Sequence, residues 1–401
     1  MSVQAPSVPA HVPSHLVRDF NYFDQPDCDA DPHAAWKLLH DGPDIFYSPQ
    51  LGGHWVVTRG ADLKAMLNDH DLFSSTVNAI PRAGLPFRMA PIEFDPPDHK
   101  RLKAMGVPSF APPAVKKLET RIRELSDSLI DGFIERGNCE FVDDFALRMP
   151  IEIFMGISGL PDADRAPLLS IMDDRMRNPN LEVQERASVE LVAYSERILA
   201  ARLAAPGRDL ISELIEAQPD GVAATRDELL GYATLLFFAG LDTVSSSMSF
   251  MARFLAENPA HRRQIIADPP LLRNAIEELL RRFGVSTPSR IVNRDSVYRG
   301  VEMRKGDMVL LPVTLHGLDE RVYRDPMTVN FARKDAAQHL TFGTGIHRCI
   351  GSFLARTELR IFIETWLRRI PEFEITLGKR PTARAGVINS MLTLPLSWQA
   401  T

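Results

Sequence analysis

The chain has 401 residues and a formal charge of −6, with 46 Lys and Arg against 52 Asp and Glu. Hydrophobic residues at 45% and charged residues at 24% are the proportions of a folded chain with a sizeable core, and the mild acidity leaves no overall footprint for nucleic acid. The three cysteines, Cys28, Cys139 and Cys349, lie far apart, which excludes a disulfide framework and a paired-cysteine metal site and suits a reducing compartment.

Residues 1–30 are rich in Pro and Asp and are expected to run extended over the surface. They show neither a signal peptide nor an anchor, and the longest apolar runs reach only about half of the ~20 residues that span a bilayer. A cytoplasmic protein without a membrane partner is expected. Residues 52–60 read as a short strand between turns. Residues 74–98 hold prolines 81, 86, 91, 96 and 97, a long irregular segment of the kind that carries function. Helical periodicity then dominates. It predicts helices from Pro113 into the 130s and over 142–157, 162–177, 183–205, 226–257, 259–267, 271–283 and 353–369. Strands are predicted at 297–303 and 308–311, with an alternating pair at 387–398. No repeat or linker divides the chain, so residues 1–401 read as one mainly α domain with a small β portion.

The most informative segment is Phe342-Gly343-Thr344-Gly345-Ile346-His347-Arg348-Cys349-Ile350-Gly351, which opens a helix at Ser352. Its glycines let the backbone fold tightly beneath a bulky planar group. The free N–H groups of the helix start would stabilise a thiolate. A small buried hydrophobe is the plain reading of a cysteine, and it suits Cys28 and Cys139. A dinucleotide loop fails because Arg348 stands where a third glycine is needed, and a zinc site lacks a second nearby cysteine.

The segment resembles the FxxGxxxCxG signature of cytochrome P450 monooxygenases, with every fixed position filled. That resemblance implies a P450 fold, with haem b (iron protoporphyrin IX) between the long central helix and the cysteine loop. It makes Cys349 the thiolate ligand of the iron, places Phe342 and Gly345 at the haem, and brings His347 to a propionate.

Three further segments agree with it. Glu278 and Arg281, one turn apart, can pair on one helix face; singly this is an ordinary surface ion pair, but the resemblance makes it the family's core pair with Arg333 as third member. In Ala239-Gly240-Leu241-Asp242-Thr243 the threonine hydroxyl can turn onto the Ala239 carbonyl and open the helix. By itself this is a tolerated kink with a solvated Asp. By resemblance it is the oxygen groove, with Asp242 and Thr243 as acid and alcohol delivering protons to O2-derived oxygen. Asp95-Pro96-Pro97-Asp98-His99-Lys100-Arg101-Leu102-Lys103 is otherwise a Pro-stiffened basic turn. It resembles the family's DPPEHxRxR entry, with His99 at a propionate and Lys103 where Arg is usual, a point charge replacing a fork. Arg290 is a further propionate partner. The resemblance covers about residues 11–398 and is closest to the bacterial camphor-hydroxylase class.

Carried over residue by residue, the substrate pocket comprises Thr76, Ile80, Phe87 and Met89, then Leu235 and Phe238, then Ser286, then Val387 and Ile388, with Met176 as a cap. Each of these singly reads as plain core. Together they imply a compact hydrophobic substrate, terpenoid or norisoprenoid-like, with Asn78, Arg82, Arg88 and Ser286 as polar candidates. Lys100, Arg101, Lys103, Lys116, Lys117 and Arg348 could form a basic patch for an acidic 2Fe–2S ferredoxin; the plain reading is a solvated face. With no flavin or iron–sulfur domain in the chain, a separate ferredoxin reductase is implied. The rival readings are a peroxide-driven haem–thiolate oxidase and a non-catalytic haem–thiolate sensor, and the Asp242–Thr243 pair counts against both.

Overall fold

A computed structural model describes residues 8–82, 84–177, 180–240 and 242–400, apart from the side chains of Met176, Arg177 and Leu181. Helices predominate, and a small β portion lies to one side.

Two helices carry the centre of the molecule. Thr243–Glu257 is buried along most of its length, and Ser352–Arg369 packs in the same core against Glu119–Asp131. Aromatic rings lock this region, with Trp366 ringed by Phe141, Phe145, Phe362 and Phe373 at centroid distances of 5.0 to 6.1 Å. Stacked and edge-on rings add to the gain from burial. A second apolar cluster joins Asp98–Phe110 to Arg226–Gly240 and Leu181–Ala204, and a third lies beneath the main sheet.

That sheet has five strands in the order Ile45–Ser48, His54–Val57, Met308–Leu310, Ser289–Val292, Phe73–Ser74. Val309 faces Trp55 in the parallel pairing and Arg290 in the antiparallel one, which fixes Arg290 on an interior strand of the sheet. A three-stranded sheet joins Asn138–Glu140, Pro395–Ser397 and Glu374–Ile375.

The structure corrects several sequence expectations. The helix expected over 226–257 is regular to Gly240 and resumes at Thr243, with Leu241 outside the described residues. The run Arg226–Glu257 is long and apolar enough to cross a membrane by composition, but 71% of its apolar window is buried inside the protein, as in a core helix. The strand expected at 297–303 is a hairpin, Ser296–Tyr298 with Val301–Met303, turning through Arg299 and Gly300 at φ 48° and 80°. The expected pair at 387–398 does not pair with itself: Ser390–Thr393 joins Thr382–Arg384, and Pro395–Ser397 joins the three-stranded sheet. The strand expected at 52–60 shortens to His54–Val57 because a helix begins at Gly60.

Candidate active site

The cysteine loop is shaped by its own backbone. The Cys349 N–H donates to the Phe342 carbonyl at 2.8 Å, and the Gly343 N–H to that of Leu340 at 2.7 Å. Gly343 and Gly345 take φ of +68° and +62°, a region costly for any residue with a Cβ. A Cβ on Gly345 would also stand 2.6 Å from Asn68 Oδ1, so this position needs glycine twice over. The loop thereby presents Cys349 just ahead of the Ser352–Arg369 helix. Cys349 is exposed, yet desolvation dominates its thiol and pushes its pKa up. The two observations together describe a thiol that looks into an internal cleft. The Gly351 N–H, Lys103, Arg356 and Arg348 act in the opposite sense and favour the thiolate.

Basic side chains from other elements converge on His347 of this loop. His99 opens the Asp98–Phe110 helix, and its ring centre lies 4.1 Å from that of His347. The His347 Nε2 is 2.9 Å from Ser75 Oγ. Arg290 is buried on its strand and donates to the neighbouring Ser289 carbonyl at 2.7 Å. Burial, then Arg290, His99, Lys103 and His70, press the His347 pKa down to about 2. Burial and then Lys103 bring His99 to about 4, while Asp95 acts the other way. Burial likewise brings Arg290 down to about 10, with Asp95 opposing it. Asp95 is itself engaged by Ser74 and by the Ser75 N–H. At these values the two imidazoles are neutral, so they and the charged Arg290 guanidinium converge as hydrogen-bond donors, and with Asp95 already engaged the cluster suits an anionic group. A planar group carrying two carboxylates, held with its centre near the cysteine, fits these residues.

Lys103 departs from expectation. Its ammonium does not join the histidines; it donates to the carbonyls of Ile346 and Arg348, the latter at 2.8 Å. A lysine here is too short and too compact to act as a fork, and the loop carbonyls capture it.

A second candidate element is the helix interruption between Gly240 and Thr243. The Thr243 Oγ1 donates to the Ala239 carbonyl at 3.0 Å. Ala239 is exposed although most of the turns before it, from Leu229 to Phe237, are buried. Asp242 is 2% exposed and accepts from Ser246 Oγ at 3.3 Å, while Ser245 Oγ donates to its backbone carbonyl at 2.8 Å. Burial raises its pKa to about 6, against the opposing pull of Arg175, Arg384 and Ser246. Those three partners were not found from the sequence. Arg175 also stacks over the Phe238 ring at 4.2 Å.

Glu278 and Arg281 are no surface pair. Both side chains are 0% exposed and joined by two bonds of 2.7 and 2.9 Å, and Arg333 Nε adds a third contact to Glu278 at 3.0 Å. Arg281 further satisfies the carbonyls of Gly317, Pro326 and Thr328. The triad pins the irregular chain that leads to the cysteine loop. Glu277 does a parallel job that the sequence reading missed. It holds Arg356 through bonds of 2.6 and 2.9 Å and His339 at 3.1 Å. Burial would raise the Glu277 pKa, but these partners take it down to about 2.

The expected pocket residues divide. Ser286 bridges Ile388, and the Thr287 N–H donates to Val387 at 2.8 Å, so these three come together. Asn389, held by Trp36 Nε1 at 3.0 Å, fixes the same turn. Leu235 and Phe238 are half-buried on the helix that ends at Gly240. Phe87 and Thr76 are half-buried and Met89 is buried in the 74–98 segment. Ile80 is packed into the cluster beneath the main sheet, where its carbonyl accepts from Tyr22. The side chain of Met176 lies outside the described residues. In the basic patch, Lys100, Lys116, Lys117 and Arg348 are exposed, but Arg101 is paired with Glu228 and Lys103 is held by the loop.

Comparison with known proteins agrees with this arrangement. The sequence profile of the family described as cytochrome P450 matches residues 162–383. The chain is 34% identical to the probable cytochrome P450 127A1 of Sinorhizobium fredii, over 99% of this chain and 98% of that one. It is 30% identical to the pentalenic acid synthase of Streptomyces avermitilis, over 92% and 95%. The solved structure of cytochrome P450 CYP101C1 superposes with a TM-score of 0.90 at 34% identity, covering 98% of this chain and all (100%) of that one. That of CYP101J2 gives 0.89 at 32% identity, covering 98% and 99%. The chain belongs to the cytochrome P450 family of haem-containing monooxygenases. Within it the chain falls in the bacterial camphor-hydroxylase-like class, and its cofactor is haem b.

Proposed function

We propose that this chain hydroxylates a compact hydrophobic, terpenoid or norisoprenoid-like substrate, using electrons from a separate 2Fe–2S ferredoxin and its reductase, in the cytoplasm. Cys349 is the iron ligand, and His99, His347 and Arg290 hold the propionates. Bound haem supplies the activation of O2, one atom of which enters a C–H bond while the other leaves as water.

The residues of the chain do the rest. The hydroxyl proton of Thr243 is committed to Ala239. Its lone pairs are therefore free to accept a hydrogen bond from water in the cleft, which holds that water in place. Asp242, with a pKa near 6, can hold or release a proton at neutral pH and is the acid that recharges this relay. Leu235, Phe238, Val387 and Ile388 exclude bulk water and select by shape, since they offer no polar group to an apolar substrate. Lys100, Lys116, Lys117 and Arg348 are the exposed cations that support docking of an acidic partner.

The observation that carries the reading is the Thr243–Ala239 bond beside a buried, poised Asp242. A carrier or sensor has no use for it, and a peroxide-driven oxidase needs no proton relay. The test is a titration of haem-loaded protein with terpenoids and norisoprenoids, followed by turnover of the binders with ferredoxin, reductase and NADH. A Soret shift and a product one oxygen heavier are expected. Binding without product under NADH, together with product under added peroxide, would favour the peroxide-driven reading.

A further inference from the structure

Ser246 lies one turn beyond Asp242, and its hydroxyl faces two acceptors. Asp242 Oδ1 is 3.3 Å away and Ser390 Oγ is 3.4 Å away. Ser246 has a single hydroxyl proton, so it serves one of them at a time. Ser390 opens the Ser390–Thr393 strand and directs its own proton to the Ile388 carbonyl at 3.3 Å. Both serines are buried, so bulk water does not reach them. Hydroxyl bonds are usually about 2.7–2.8 Å long. Contacts longer than that are loose, and the Ser246 hydroxyl turns between its two acceptors without breaking a tight bond.

The charges that face Asp242 come from other elements. Arg175 belongs to the Arg165–Arg177 helix, and Arg384 sits on Thr382–Arg384, directly across the hairpin from Ser390. Both act on the carboxylate whichever way the hydroxyls point. With Asp242 ionised, Ser246 donates to it and Ser390 donates to Ile388. With Asp242 protonated, the acid proton goes to Ser246 Oγ, Ser246 turns its own proton to Ser390 Oγ, and Ser390 still holds Ile388. Each of these buried donors then has an acceptor in both states. Without the Ser390 oxygen, the ionised carboxylate is the best acceptor left for the Ser246 proton, and a buried donor without a partner is costly.

We propose that Ser390 is a positioning residue for the relay acid: acting through Ser246, it stabilises the protonated form of Asp242 and so keeps a proton there for delivery. This rests on the reading of Asp242 as the proton source. Burial lifts the Asp242 pKa to about 6, and the hydroxyl chain acts in the same direction, against the two arginines. Ser246 alone favours the carboxylate, as the arginines do. Ser390 gives the Ser246 proton its second destination.

The test uses haem-loaded protein with Ser390→Ala, Ser390→Thr, Ser246→Ala, the two alanine changes combined, and Asp242→Asn. Ser249→Ala is the control, since the Ser249 hydroxyl is buried on the same helix but donates to the Ser245 carbonyl at 2.8 Å, outside the chain. Two quantities are followed against pH. One is the infrared C=O band of the Asp242 acid, identified by its loss in Asp242→Asn; the other is product per NADH consumed. Ser390→Ala should move the midpoint of both down by about one pH unit, a roughly tenfold smaller protonated fraction above the midpoint, the scale of one buried hydrogen bond. Ser390→Thr keeps the hydroxyl and should restore the parent midpoint. Ser246→Ala removes a donor to the carboxylate and should move the midpoint up. In that background Ser390→Ala should add nothing, because the link between Ser390 and Asp242 is gone. Ser249→Ala should leave the midpoint where it is. A parent midpoint in Ser390→Ala overturns the proposal, as does a Ser390→Ala shift that persists without the Ser246 hydroxyl, or a lowered midpoint in Ser246→Ala. Coupling that has no pH step in the unmutated protein and is unaltered in Asp242→Asn would instead overturn the reading of Asp242 as the relay acid.

Discussion

The Thr243 hydroxyl donates to the carbonyl of Ala239 across 3.0 Å, at the point where regular helix gives way. Thr243→Ala removes the hydroxyl whose lone pairs hold water in the cleft. Haem and substrate binding should persist, while product per NADH consumed falls by an order of magnitude or more and hydrogen peroxide accumulates, since positioned proton transfer contributes about 10²–10⁴ in rate. Thr243→Ser should recover most of the coupling. Full coupling in the alanine variant would remove the hydroxyl from proton delivery.

Asp242 gives a pH dependence with a definite sign. Burial lifts its pKa from 3.8 to about 6, so in that window the native state keeps a proton that the unfolded chain has lost. This group's contribution to stability therefore falls as pH rises through the window, and above it the native carboxylate is a cost of up to about 3 kcal/mol. Asp242→Asn escapes that cost. Relative to wild type it should be more stable at pH 8 than at pH 4.5, as read by urea unfolding, while its coupled turnover falls. Parallel pH profiles of stability in the two proteins would contradict the raised pKa.

The motif residues were legible because each rests on a short fixed spacing: Thr243 to Ala239, Glu278 to Arg281, Phe342 to Cys349. Periodicity also located most helices, since a buried stripe repeats every turn. Groups that meet only through the fold were not legible. Nothing near Asp242 in sequence announces Arg175 or Arg384, and nothing near Glu277 announces Arg356 and His339. The 296–303 hairpin was missed because Arg299-Gly300 replaces the usual Asn-Gly turn, although the glycine was a usable signal. Alternation marked the terminal strands but carries no information about which partner each takes.

The buried triad should be costly to disturb. Arg281→Lys keeps the charge but cannot serve Glu278 and the Gly317, Pro326 and Thr328 carbonyls together. It should lose about 3–5 kcal/mol of stability, the cost of breaking a buried pair, and give protein poor in haem. Arg333→Lys, at the more open end of the triad, should lose less. Equal losses in a denaturant titration would contradict this ranking.

The exposed cations near the cysteine loop predict salt-sensitive reduction. Lys100→Glu and Lys117→Glu should each raise the ferredoxin KM severalfold with haem content unchanged, and the effect should shrink as salt shortens the Debye length below about 8 Å. Arg101→Glu is expected to act chiefly by breaking the contact with Glu228. Salt-independent kinetics with both lysine variants unaffected would place the donor elsewhere.

The central claim is that Cys349 is the thiolate ligand, and the ferrous–CO spectrum of Cys349→Ser tests it most directly. The unmutated protein should show the long-wavelength Soret band that thiolate donation produces, and the serine variant should lose it while still binding haem through His99, His347 and Arg290. The same long-wavelength band in Cys349→Ser would contradict the account.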